Sequence, residues 1–128
     1  MRFMMLMIPK GYETAAADAR PDPEHVAAMM KYNEALAKAG VLLSLDGLHP
    51  PSMGARVSFA AGKPEATDGP FADAAPVVGG YWMIQVQSKD DAVAWAKQCP
   101  ARPNEVIEVR QVFKMADFPP EVQKAAGR

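Results

Sequence analysis

A mixed α+β fold is predicted by three features of the chain. Apolar or alternating runs, two capped helix starts and turn-rich segments follow one another as β-α-β, then a hairpin, then β-α-β. That order is the split βαβ pattern of ferredoxin-like folds, with a β-hairpin inserted between its halves. Two helices can cover only one face of a four-stranded sheet. A second copy of the same sheet is the expected cover for the other, so the chain is predicted to form an isologous homodimer with facing sheets.

Each element has a local reason. Residues 3–8 are a continuous apolar run, read as a strand buried on both faces. Residues 9–20 mix Gly, Thr, Ala and Asp and read as a loop. Asp22-Pro23-Glu24 starts a helix with an N-cap acid, a proline at the first helical position and a glutamate in the first turn. Val26, Met29, Met30, Leu36 and Ala37 are its predicted buried face, and Gly40 ends it. Residues 41–45 form the second strand, and residues 46–54 a loop carrying His49-Pro50-Pro51-Ser52. Residues 56–68 read as the hairpin, with Val57 and Phe59 on one face and Arg56 and Ser58 on the other.

Residues 77–87 are the longest strand candidate, and Gly79-Gly80 suggests a bulge or a close backbone approach. Ser88 with Asp91 three residues on resembles a capping box. Ala92, Trp95, Ala96 and Cys99 give the second helix its stripe, which Pro100 stops. Residues 105–113 alternate as the last strand, with Glu108 and Arg110 on one face and Ile107 and Val109 on the other. The whole of 1–128 reads as one domain, with a C-terminal extension from about residue 114.

Composition excludes several classes. The 128 residues are 49% hydrophobic, which suits a globular domain. Fourteen basic and 15 acidic side chains give a net charge of −1, with no footprint for nucleic acid or anionic membrane. Cys99 stands alone, which excludes an internal disulfide and reads as a packing residue. The apolar N-terminal run is too short for a signal peptide or a membrane span, so a cytoplasmic protein is expected. No phosphate loop, dinucleotide fingerprint or zinc motif occurs, and no cofactor or metal is expected.

Four ordered blocks carry a family resemblance. They are Thr67-Asp68-Gly69-Pro70-Phe71-Ala72, Gly79-Gly80-Tyr81-Trp82, Ala94-Trp95-Ala96 and Ile107-Glu108-Val109-Arg110, with Lys31-Tyr32-Asn33 and Gly47-Leu48-His49-Pro50 in keeping. Together they resemble the DGPF subgroup of the YCII-related proteins. The resemblance implies a dimeric α/β barrel built of ferredoxin-like halves. It also implies an association with extracytoplasmic-function sigma factors, beside which a subset of such proteins occurs. One departure stands out: the Lys-Glu pair usual after the motif is missing from Ala72-Asp73-Ala74-Ala75-Pro76.

Six residues are the candidate site. Asp68 reads either as a general acid or base at a strand end or as a turn former bonded to its own backbone. His49, its backbone fixed by the prolines that follow, reads as a proton shuttle or as an exposed loop residue. Arg56 and Arg110 are candidate anchors for a substrate carboxylate, with Tyr81 and Glu108 beside them; a structural ion pair is the other reading of Glu108 and Arg110. His25, in the first turn of the first helix, is expected to face solvent. Three functions follow: a cofactor-free isomerase or lyase acting on a small molecule, a ligand-sensing module that contacts a sigma factor, or a structural interaction protein.

Overall fold

The computed structural model describes residues 1–71 and 76–127. The departure from the motif at residues 72–75 lies outside them. Six strands and three α-helices run in the order β1 (Arg2–Ile8), α1 (Pro23–Lys38), β2 (Leu42–Gly47), β3 (Ala55–Ser58), β4 (Glu65–Asp68), β5 (Gly80–Gln85), α2 (Lys89–Lys97), β6 (Val106–Gln111) and α3 (Pro120–Ala125). The main sheet has the order β2-β5-β1-β6, and each recorded pairing is antiparallel. β3 and β4 pair only with each other, as a separate two-stranded sheet. The fold is thus mixed α+β with antiparallel sheets, and the described residues form no closed barrel.

The core lies on one face of the main sheet. Phe3, Met5 and Met7 from β1 and Trp82 and Ile84 from β5 are buried there, with Tyr32 and Leu36 from α1 and Ala92 from α2. Their period of two along the strands is what a sheet with one covered face requires. The expectation that β1 is buried on both sides is therefore corrected: Met4, Leu6 and Ile8 are half-buried, on the face opposite the helices. Across that face they align with Arg110, Glu108 and Val106 on β6, and Met4 with Met83 on β5. It is an apolar strip with charges along one edge, and no described element of the chain covers it.

The helix caps form as expected. The Asp22 carboxylate accepts the Glu24 N–H at 3.3 Å, and the Ser88 hydroxyl accepts the Asp91 N–H at 3.1 Å. The irregularity expected at Gly79-Gly80 is a close approach, and the register shift falls instead between Leu42 and Ser44 on β2. The C-terminal extension holds a 3-10 turn at Met115–Asp117, then α3, and Phe113 and Phe118 stack at 4.7 Å between centroids.

The buried face of α1 differs from the one its apolar residues suggest. Val26, Met30 and Ala37 are exposed, Met30 by 56%. The inward stripe is His25, Ala28, Met29, Tyr32, Asn33 and Leu36. The reason is polar. The Tyr32 hydroxyl donates to the Trp95 carbonyl at 2.7 Å, and the Trp82 indole N–H donates to Asn33 Oδ1 at 2.7 Å. The Tyr32 and Trp82 rings also meet edge to face, at 5.5 Å and 89°. Leaving any of these buried groups unpaired costs about 1–3 kcal/mol, enough to set which way a helix with a weak apolar stripe turns.

Candidate functional site

A hollow lies where α1 passes the ends of β1, β2 and β5. An inner cavity of about 190 Å³ is walled by Met7, Met29, Leu45 and Trp82, with Asn33, Asp46, Gly47, Gly79, Gly80 and Tyr81 completing it. An outer cavity of about 360 Å³ shares Met7, Met29 and Gly79 with it. The wall of the outer cavity mixes apolar residues such as Pro9, Ala15 and Pro21 with Tyr12, Arg20, Asp22, His25, Arg102 and Glu105, which bring in polar and charged groups. The two are thus adjoining compartments of one cleft, one apolar and one carrying charged groups, a combination suited to a small-molecule site.

Glycine makes this corner possible. A Cβ on Gly80 would come within 2.9 Å of the Asp46 carbonyl oxygen, and one on Gly79 within 2.5 Å of the Pro9 ring. The backbone of β5 can therefore approach β2 and the loop after β1 only because both side chains are missing. Leu48 N–H donates to the Gly79 carbonyl at 2.9 Å, and Gly79 N–H to the Met7 carbonyl at 2.8 Å. The Tyr12 hydroxyl donates to the Leu48 carbonyl and closes the same corner, and burial pushes its pKa up.

The residues expected from the sequence are scattered around this cleft. Tyr81 is at its wall, and its hydroxyl donates to Asp46 Oδ2 at 3.0 Å. Glu108 and Arg110 pair with each other at 3.3 Å on the open face of the sheet, both well exposed. Arg56 stacks over the Phe71 ring, 4.3 Å from its centroid, beside the hairpin. Asp68 ends β4 and is exposed, as is His49 in the loop after β2. No hydrogen bond or ion pair among the described residues joins the two. His49, Arg56, Asp68, Glu108 and Arg110 line neither compartment of the cleft.

The Asp68 turn has a visible structural task. Gly69 N–H donates to the Gly54 carbonyl at 2.9 Å, and a Cβ on Gly69 would overlap the Pro51 carbonyl. The Gly69–Pro70 peptide is cis. The turn thus seats the return strand of the hairpin against the Pro51–Met53 segment.

With fold and cleft described, kinship can be read from the whole chain rather than from short blocks. The family model of the YCII-related domain matches residues 1–116. The chain belongs to the YCII-related family. The match takes in every strand of both sheets and both long helices, and it ends just after β6. Among curated proteins no match was found.

Sequence reasoning missed His25 in this YCII-related protein. Expected to face solvent, it is half-buried and lines the charged compartment. The resemblance had picked out Lys31-Tyr32-Asn33 without a reason. Tyr32 and Asn33 fix the turn of α1, and the same turn brings His25 and Met29 to the cleft.

Cys99 packs against the core, with its sulfur 3.9 Å from Met29 Sδ. Burial, reinforced by the Glu105 carboxylate, pushes its thiol up to about 11. At pH 8 the folded chain therefore holds Cys99 as the thiol. Labelling by a disulfide reagent at pH 8 is expected to be much slower in the native than in the urea-unfolded protein, with the native rate rising steadily from pH 8 to 10. A native rate that is fast and flat over that range would show a thiolate and an active cysteine.

Proposed function

We propose that this YCII-related protein binds a small molecule in the cleft between α1 and the ends of β1, β2 and β5, and that it carries out cofactor-independent acid–base chemistry there, of the isomerase or lyase type. The observation that carries the reading is the joined cleft itself: an apolar compartment walled at one corner by two closely packed glycines, adjoining one that holds charged groups and a half-buried histidine. His25 is the group suited to move a proton in it, since its imidazole ring can both donate and accept one and it lines the cleft half-buried.

Asp68 and His49 enter this reading through a second subunit. The strand order β2-β5-β1-β6 supports a ferredoxin-like half, and the uncovered strip of Met4, Leu6, Ile8 and Met83 supports a homodimer closed into a dimeric α/β barrel. The β3–β4 hairpin stands apart from its own main sheet, so in such a dimer it is free to carry Asp68 and Arg56 toward the partner. The Thr67-Asp68-Gly69-Pro70-Phe71 block supports membership of the DGPF subgroup. A second reading, a ligand-sensing module that docks on a sigma factor, draws on the hairpin's exposed Val57 and Phe59, 55% and 69% accessible.

Ligand binding is tested with a metabolite set against the Trp82 indole N–H resonance of the full chain. Compounds that enter the cleft are expected to move Trp82 more than Trp95, and Met29→Phe, which puts a ring into the inner compartment, is expected to weaken them. A set in which no compound moves Trp82 would remove the ligand reading. For a compound that is turned over, His25→Gln is expected to lower kcat by about a hundredfold or more. Full activity in Asp68→Asn would leave Asp68 with the turn alone.

The dimer is tested separately by sedimentation. The parent chain is expected to run as a dimer and Leu6→Glu, which sets a charge in the middle of the uncovered strip, as a folded monomer. A monomeric parent chain would remove the barrel.

A further inference from the structure

The two compartments of the cleft offer different chemistry, and that contrast identifies the class of ligand; the inference rests on the ligand-binding reading above. The inner compartment has the walls for an apolar body: Met7, Met29, Leu45 and Trp82, with the Trp82 N–H already spent on Asn33. At about 190 Å³ it suits a single ring or a short branched chain rather than a long one.

The outer compartment holds two acids and three basic groups, and the acids are already engaged. The Asp22 carboxylate caps α1 by accepting the Glu24 N–H. The Glu105 side chain is only 5% exposed; its carboxylate accepts the Arg102 N–H at 2.7 Å and meets the Arg102 guanidinium at 3.8 Å. The bases are less committed. Arg20 makes no ion pair and no side-chain hydrogen bond among the described residues. The Arg102 side chain is 56% exposed, and its guanidinium meets Glu105 only through the one 3.8 Å contact, the 2.7 Å bond being from the backbone N–H, which leaves most of the guanidinium donors open. The Tyr12 hydroxyl donates its hydrogen bond to the Leu48 carbonyl. What remains in this compartment is a surplus of donors: two guanidinium groups and the His25 ring.

We infer that this outer compartment is a carboxylate-binding subsite. The ligand is a small organic acid whose apolar body lies against Met29 and Trp82 and whose carboxylate is held by Arg20 and Arg102. Guanidinium suits that task, because its planar fork offers paired donors to a carboxylate and stays charged at every working pH. This places the anion anchor in the charged compartment, away from Arg56 and Arg110.

The test uses a matched pair of probes, phenylacetate and phenylacetamide, which share a shape and differ in charge. Each is titrated into the full chain while the Trp82 indole N–H resonance is followed. Phenylacetate is expected to bind about tenfold more tightly than the amide, the gain typical of charge-assisted over neutral hydrogen bonds. Arg20→Gln is expected to remove most of that preference and leave the affinity for the amide unchanged. Added salt is expected to weaken the acid alone. Equal binding of acid and amide, or a preference that survives in both Arg20→Gln and Arg102→Gln, overturns the carboxylate subsite and leaves the cleft as a ligand site of other specificity. Failure of both probes to move Trp82 also overturns the subsite, and the metabolite set then decides separately whether the cleft binds anything.

Discussion

The contact on which the rest depends is the clamp between Trp82 on β5 and the polar face of α1. Trp82 donates its indole N–H to Asn33 and meets the Tyr32 ring edge to face, and the Tyr32 hydroxyl in turn donates a hydrogen bond to the Trp95 carbonyl of α2. Trp82 thus ties α1 to the sheet, and Tyr32 ties α1 to α2 in the same layer. Helical propensity cannot do this, and neither can the apolar content of α1, where Val26 and Met30 compete with Met29 and Leu36 for the inward face. Hydrogen bonds decide between the two, because a buried indole or phenol without a partner costs more than an exposed methionine does.

The cleft follows from that choice. With Tyr32 and Asn33 turned inward, residues one and two turns earlier on the same side of α1 are Met29 and His25, and both face the ends of β1 and β5. The glycine pair then clears the floor. Gly79 and Gly80 let β5 pass close to Pro9 and Asp46, and the space that remains is bounded by Met7, Leu45 and Trp82. The charged compartment needs no further element, since Arg20 and Asp22 belong to the segment that starts α1, and Arg102 and Glu105 to the turn that starts β6. Helix orientation, strand approach and chemistry are therefore one arrangement seen at three scales.

Much of this architecture is legible in the sequence. Strand periodicity, the caps at Asp22 and Ser88 and the hairpin between residues 56 and 68 are local signals, and each yields the element it implies. The face of α1 is not local. Tyr32 finds its acceptor 63 positions away and Asn33 its donor 49 positions away, so counting apolar residues cannot see that these polar groups belong inside. The site misleads for the same reason. Asp68, the centre of the most recognisable motif, has its immediate neighbours explained by a turn packed on Pro51, whereas His25 stands in an ordinary first turn and gains its place only from the rotation of the helix. The uncovered face of the sheet is also foreseeable, because two helices cannot cover both sides.

The rotation of α1 can be measured directly. In a Cys99→Ala background, single cysteines are placed at positions 25 and 29 and at positions 26 and 30, and their rates of labelling by a neutral maleimide are compared. His25→Cys and Met29→Cys are expected to label several-fold more slowly than Val26→Cys and Met30→Cys, and that protection is expected to shrink when Asn33→Ala and Tyr32→Phe remove the clamp. Equal rates on the two faces, or protection at positions 26 and 30 instead, would contradict this rotation.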